Sequence, residues 1–123
     1  IKATLATAKL FKNRRKLVIF QPHRYTRLKD LMEEFVNCFN DADSLAIAPV
    51  YAASELPIEG VSSSALVTKL KALHPEKEIF EIKTMEEIPE FVKTHAKSGD
   101  LVLFLGAGSI SAAGYKTKEY LEK

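Results

Sequence analysis

Leu17-Val18-Ile19-Phe20-Gln21-Pro22-His23-Arg24-Tyr25-Thr26-Arg27 opens as an apolar run and closes as a basic, aromatic, hydroxyl-bearing cluster. Unbroken apolarity over so few residues marks a strand covered on both faces. Pro22 has no amide proton to give to a ladder, so pairing is expected to stop there. Leu28, Leu31, Met32, Phe35, Val36 and Phe39 then recur at the spacing of one helix face. The stretch therefore predicts a strand, a sharp loop and a helix. Gln21 to Arg27 stand where a strand's carboxyl end meets a helix's amino end, the usual ligand position in a parallel α/β sheet.

The pattern recurs downstream. Asn40 to Ser44 is turn chemistry, and Leu45-Ala46-Ile47-Ala48-Pro49 is a second apolar strand stopped by proline. Val50 to Gly60 has no period and reads as a loop. Ser62-Ser63-Ser64 supplies caps for a helix over Ala65 to Leu73, with Leu66, Val67, Leu70 and Leu73 on its buried side. Glu78 to Ile82 alternates as a half-exposed edge strand does. Thr84-Met85-Glu86-Glu87 fits a capping box for a helix through Ile88, Phe91, Val92 and His95, closed by Ser98-Gly99. Leu101 to Leu105 is the most apolar run and is expected at the centre of the sheet. Gly106-Ala107-Gly108 ends it, and a last helix carries Tyr115, Tyr120 and Leu121.

Upstream, Ile1, Leu5, Ala8 and Phe11 predict a helix over residues 1 to about 12. The Lys12-Asn13-Arg14-Arg15-Lys16 cluster that follows reads as a solvated turn, with phosphate binding as the rival use. A helix followed by four strand-helix units predicts an α/β fold. Its form is a three-layer, doubly wound, mostly parallel sheet with helices on both faces, Rossmann-like, forming a single domain over 1–123.

Hydrophobic content of 46% and charged content of 28% in 123 residues suit a globular domain with a real core. The net charge of +2, with both signs interleaved, gives no argument for nucleic acid or a membrane surface. The lone Cys38 makes an internal disulfide impossible, lies in an apolar helix pattern, and suits a reducing, cytoplasmic compartment. No run approaches the roughly 18 apolar residues that span a bilayer. The chain opens at Ile1, in mid-pattern and without methionine, as expected of a piece of a longer protein.

Three of the four strands end in something other than an ordinary turn: Gln21-Pro22-His23-Arg24, Pro49-Val50-Tyr51-Ala52-Ala53 and Gly106-Ala107-Gly108. A parallel sheet brings all of these to one edge, where they would form a cleft. Arg24 and Arg27 lie three apart, with His23, Tyr25 and Tyr51 nearby. The arginine fork suits bidentate contact with carboxylate or phosphate. Capping of helices, or pairing with Asp30, Glu33 or Glu34, is an equal alternative. His23 fits an anion donor or a structural role, and Tyr51 combines packing with hydrogen bonding. Gly106-x-Gly108 lacks the third glycine of a dinucleotide fingerprint, because Ser111 stands there. It implies a tight turn, close to a ligand or to a neighbouring domain. There is no P-loop, no C-x-x-C, no histidine pair at metal spacing and no nucleophile elbow. The residues by themselves describe an anion-binding α/β module with no catalytic set and no metal site.

Phe20-Gln21-Pro22-His23-Arg24-Tyr25-Thr26-Arg27, with Asp30-Leu31 and Phe35, resembles the first signature of the C-terminal domain of the Mur ligases, in their alanine-adding branch. Pro49-Val50-Tyr51-Ala52-Ala53, with Glu55, Pro57-Ile58 and Gly60, is similar to a second signature, and Leu105-Gly106-Ala107-Gly108-Ser109-Ile110 to a third. Ile1 to Leu5 resembles the helix after the family's His-His-Pro segment. The resemblance implies a three-domain, ATP-dependent enzyme in which the first domain holds a UDP-sugar, the second holds ATP and Mg2+, and the last receives the amino acid. It implies that L-alanine joins UDP-N-acetylmuramate through an acyl phosphate. His23, Arg24 and Arg27 match the positions that contact the alanine end, the arginines on its carboxylate. The chain departs from the pattern at Ser54, where glycine is usual, at Ser109, where aspartate is frequent, and over Ala112 to Lys123. The other readings are a sister ligase with another amino acid and a non-catalytic anion-binding module.

Overall fold

The computed structural model describes residues 14–106 and 109–122; the helix expected over 1 to about 12, and Gly108, lie outside the described residues. Strands β1 (Lys16–Gln21), β2 (Ser44–Ile47), β3 (Glu78–Glu81) and β4 (Leu101–Gly106) form one sheet in the order β3-β2-β1-β4. Every pairing is parallel. Between and after them run α1 (Tyr25–Asp30), α2 (Met32–Asn37), α3 (Ser63–Leu73), α4 (Ile88–His95) and α5 (Ile110–Glu122).

Alternate residues of β1 feed two cores, as the period of a strand requires. Val18 and Phe20 pack with Leu45, Ile47 and the apolar faces of α1, α2 and α3. Phe20 sets its ring 5.1 Å from that of Phe35 and 5.2 Å from that of Phe39. Leu17 and Ile19 pack on the opposite face with Ala46, Ala48, Ile88, Val92, Ile110 and Ala113. Helices therefore cover both faces, in the three-layer α/β arrangement expected from the sequence.

The strand positions differ from expectation in one respect. All six residues of β1 are buried and it lies inside the sheet, whereas β4 is an edge strand and its apolar side chains are only half-buried. Apolar runs report that a strand's two faces are covered and say nothing about its two edges. Smaller differences concern helix ends. The helix after β1 is broken at Leu31 into α1 and α2. Thr84 forms no side-chain cap, and a 3-10 turn over Met85–Glu87 precedes α4, which stops at His95. Leu73 is half exposed at the end of α3, where the last turn overhangs the core. Ser62 does cap α3, accepting the Ala65 amide at 3.0 Å.

Arg15 is no solvated turn residue. It donates to Asp100 Oδ2, Ser44 Oγ and the His95 carbonyl, each at 2.9 Å, and lies 3.6 Å from Glu78. The amino-terminal edge of the sheet and the end of α4 are thus held by one guanidinium. Burial works against the charge of Asp100, but the Lys97 amide and Arg15 outweigh it and hold the carboxyl below its ordinary 3.8. Arg15→Met is expected to lower stability at neutral pH by about 2 kcal/mol, the scale of hydrogen bonds to charged groups, as read from urea unfolding. Because the folded value of Asp100 is depressed, its contribution is complete above the unfolded value and is lost as pH falls through the folded one. The gap between wild type and variant should therefore narrow below about pH 4.

Candidate functional site

At the opposite edge of the sheet the chain leaves β1 at Gln21, and the ladder does not simply end at proline. Pro22 cannot donate but its carbonyl still accepts, taking the Tyr51 amide at 2.8 Å, and the Arg24 amide donates to the Tyr51 carbonyl at 2.7 Å. His23 and Tyr51 form an isolated parallel bridge, with ring planes 16° apart and centroids at 5.4 Å. The loops after β1 and β2 are one joined structure. Tyr51 is 39% exposed, so the stacked pair has one face toward solvent.

Arg24 ends this segment and starts α1, with φ 69° and ψ 141°. That region is sparsely populated by any residue with a side chain, and strain of this kind collects at ligand sites. The other non-glycine residues at positive φ among the described ones, Ala53 (50°) and Ser54 (72°), lie in the partner loop. Ser54, the departure from the family's glycine, keeps a glycine-like backbone. Arg27 follows three residues later, within α1. Both arginines are exposed, and neither forms an ion pair with Asp30, Glu33, Glu34 or any other described carboxylate. Of the two uses left open by spacing, surface pairing is absent among the described residues.

Two residues organise the region although the sequence, which carries them in the first two signatures, assigned neither a role of its own. Glu55 accepts from the Thr26 amide at 3.2 Å and from its hydroxyl at 2.6 Å. The Thr26 hydroxyl, then its amide, hold the Glu55 carboxyl below its ordinary value, and the Arg24 charge adds to this. No local spacing announces a contact between residues 29 apart. Gln21 is 2% exposed, and its amide nitrogen reaches the Pro49 carbonyl at 3.2 Å, Ser109 Oγ at 3.3 Å and Met85 Sδ at 3.5 Å. A polar residue closing an apolar strand was the available signal. Gly106, opposite Gln21 in the ladder, has φ 130°, and a Cβ there would lie 2.4 Å from the Gln21 carbonyl oxygen. Its close approach is to β1 itself. Ser109, a position where the sequence departs from the family pattern, is here a hydrogen-bond partner of Gln21.

A groove of about 320 Å³ opens beside this corner, among Met85, Glu86, Pro89, Ser109, Ala112 and Lys116. Its mostly apolar wall offers less to an anion than the two unpaired guanidinium groups, so the β1 and β2 loops remain the better candidate site. No group of three or more His, Cys, Asp or Glu among the described residues has metal-binding geometry, and the sequence has no phosphate-cradling loop with lysine. No described helix is long and apolar enough to cross a membrane.

Comparison with known proteins adds the following. The family model described as "Mur ligase, glutamate ligase domain" matches residues 1–108. The chain is 46% identical over 123 residues to the UDP-N-acetylmuramate--L-alanine ligase of Geotalea daltonii, covering 100% of this chain and 27% of the relative. It is 50% identical over 115 residues to the protein of that name from Chelativorans sp. (94% and 24%) and 48% identical over 122 residues to that of Rhizobium etli (99% and 26%). The chain thus spans about a quarter of the length of the curated relatives it matches.

The backbone at Arg24 gives a test independent of any ligand. Arg24→Gly should be more stable than Arg24→Ala by about 1 kcal/mol, because only glycine occupies that region without strain. Equal midpoints of thermal or urea unfolding would mean that the position stores none.

Proposed function

The chain belongs to the Mur ligase family, and from that premise we propose that it is the C-terminal, amino-acid-binding domain of a three-domain, ATP-dependent ligase. The enzyme would join L-alanine to UDP-N-acetylmuramate in peptidoglycan synthesis, in the bacterial cytoplasm. The observation that carries this reading is that Arg24, at the end of the loop that His23 and Tyr51 bridge, and Arg27, within α1, form no ion pair among the described residues. In it, Arg24 and Arg27 hold the alanine carboxylate, and His23 and Tyr51 form the adjoining wall. Neutralising the carboxylate fixes the amine's direction of approach, so the domain contributes proximity and orientation and leaves bond-making to groups elsewhere. Gly106 and Gly108 stand near enough in sequence to offer backbone contacts to a ligand or a neighbouring domain.

ATP and Mg2+ belong, on this reading, to the central domain, as the family resemblance implies. The domain's partners are then the enzyme's own N-terminal and central domains, with L-alanine and UDP-N-acetylmuramate as substrates, and the isolated chain is inactive. A sister ligase with another amino acid shares the fold. The relatives, each a UDP-N-acetylmuramate--L-alanine ligase by name, favour alanine, and amino-acid-dependent ATP turnover by the intact enzyme separates the two.

A charge-assisted hydrogen bond contributes about 1.5–3 kcal/mol, and each 1.4 kcal/mol is about tenfold. Arg24→Ala and Arg27→Ala in the full-length enzyme are therefore expected to raise the alanine KM at least about tenfold. Unchanged alanine kinetics would remove that arginine from the site. The isolated chain should bind alanine only at about millimolar Kd or weaker, since charge-assisted hydrogen bonds of about 1.5–3 kcal/mol each, offset by the cost of association, leave little more than the ~4.1 kcal/mol of a millimolar Kd. Micromolar binding in an NMR titration would contradict this.

A further inference from the structure

We infer that Glu55 is a positioning residue of the amino-acid site: it fastens the Tyr51 loop to the first turn of α1 and so fixes Tyr51 relative to Arg24 and Arg27. The inference rests on the reading that these arginines hold the substrate carboxylate.

The geometry is a clamp with two ends. At one end Tyr51 is held by the Pro22 carbonyl and the Arg24 amide. At the other, both carboxylate oxygens of Glu55 are taken by Thr26, which stands between Arg24 and Arg27 in the chain. Between the two ends lie Ala53 and Ser54 at positive φ, in a turn closed by the Glu55 amide on the Ala52 carbonyl at 3.0 Å. A turn of that conformation is unfavourable for alanine and serine unless its ends are tied. Without Glu55 the far end is untied, and the strained pair can relax toward ordinary backbone. Tyr51 and the arginines then lose their fixed separation.

The local capping pattern points the same way. Arg24, the residue before α1, provides no side-chain acceptor for the helix. First-turn amides need one, and Glu55 supplies it from the other loop. Each Glu55 oxygen accepts one hydrogen bond from Thr26, and through Thr26 and the loop the residue acts on Tyr51 and the arginines. Its lowered pKa, caused first by the Thr26 hydroxyl, keeps it a charged acceptor at neutral pH.

The test uses the full-length ligase with ATP and UDP-N-acetylmuramate saturating. Glu55→Ala should raise the alanine KM at least about fivefold, on the principle that misplacement without loss of chemistry weakens orientation. Its kcat and its KM for ATP should stay within about twofold. Glu55→Gln, which keeps an oxygen for the Thr26 amide, should restore most of the loss. Thr26→Val should shift the alanine KM in the same direction and add nothing to Glu55→Ala, and it carries the test if Glu55→Ala does not fold. A lowered Tm or active fraction with an unchanged alanine KM would assign Glu55 a purely structural cap and overturn the inference. If Arg24→Ala raises the alanine KM while Glu55→Ala and Thr26→Val do not, only the positioning role fails. If Arg24→Ala leaves it unchanged, the arginine site and the role of Glu55 fall together.

Discussion

The backbone exchange between Pro22, Arg24 and Tyr51 is the constraint on which the upper edge of this domain depends. A proline after β1 would ordinarily release the chain, since it can donate nothing to the ladder. Here its carbonyl receives the Tyr51 amide, and the ladder resumes one residue later through Arg24 and Tyr51. The interruption turns the chain, and the resumption prevents it from wandering. Two loops from adjacent strands therefore behave as one surface, and His23, Arg24 and Tyr51 sit on it. The cost is Arg24 at positive φ, which only a surrounding structure that over-determines the backbone can sustain.

Arginines at the two edges of the sheet show how identical side chains acquire different roles. Arg15 at the amino-terminal edge has its donors taken by Asp100, Ser44 and a carbonyl, and its side chain is 27% exposed. It is part of the fold. Arg24 and Arg27 at the carboxyl edge are exposed and form no ion pair with described residues. A planar donor fork left unpaired by the described carboxylates is suited to bidentate contact with a carboxylate or phosphate. Between the edges, Gln21 joins the ends of β1 and β2 to the start of α5 through Pro49 and Ser109, buried and hydrogen-bonded as an interior polar group must be.

Much of this was legible from the chain. Leu17 to Phe20 predicted a doubly covered strand and β1 is one; the spacing of Leu66, Val67 and Leu70 predicted the buried face of α3. His23, Arg24 and Tyr51 were expected at one edge, and the structure joins their backbones. What escaped has common physical causes. Leu101 to Leu105 was expected at the centre because face burial and edge pairing leave the same apolar trace. Arg15 was read as solvated because its acceptors come from residues up to 85 positions away. Glu55 escaped for the same reason: a carboxylate that caps a helix from a distant loop has no local pattern.

The interior place of β1 has a consequence for how the chain assembles. Its neighbours are β2, close behind it, and β4, whose Leu101 pairs with Lys16. On a ribosome moving at about 5–20 residues per second, the second neighbour would arrive on the order of ten seconds after the first. During that interval β1 presents an uncovered row of amides and carbonyls, with apolar side chains on both faces, to whatever is nearby. Such a strand is a template for unwanted pairing. The exposure of β1 would thus end only when β4 is made and closes the sheet.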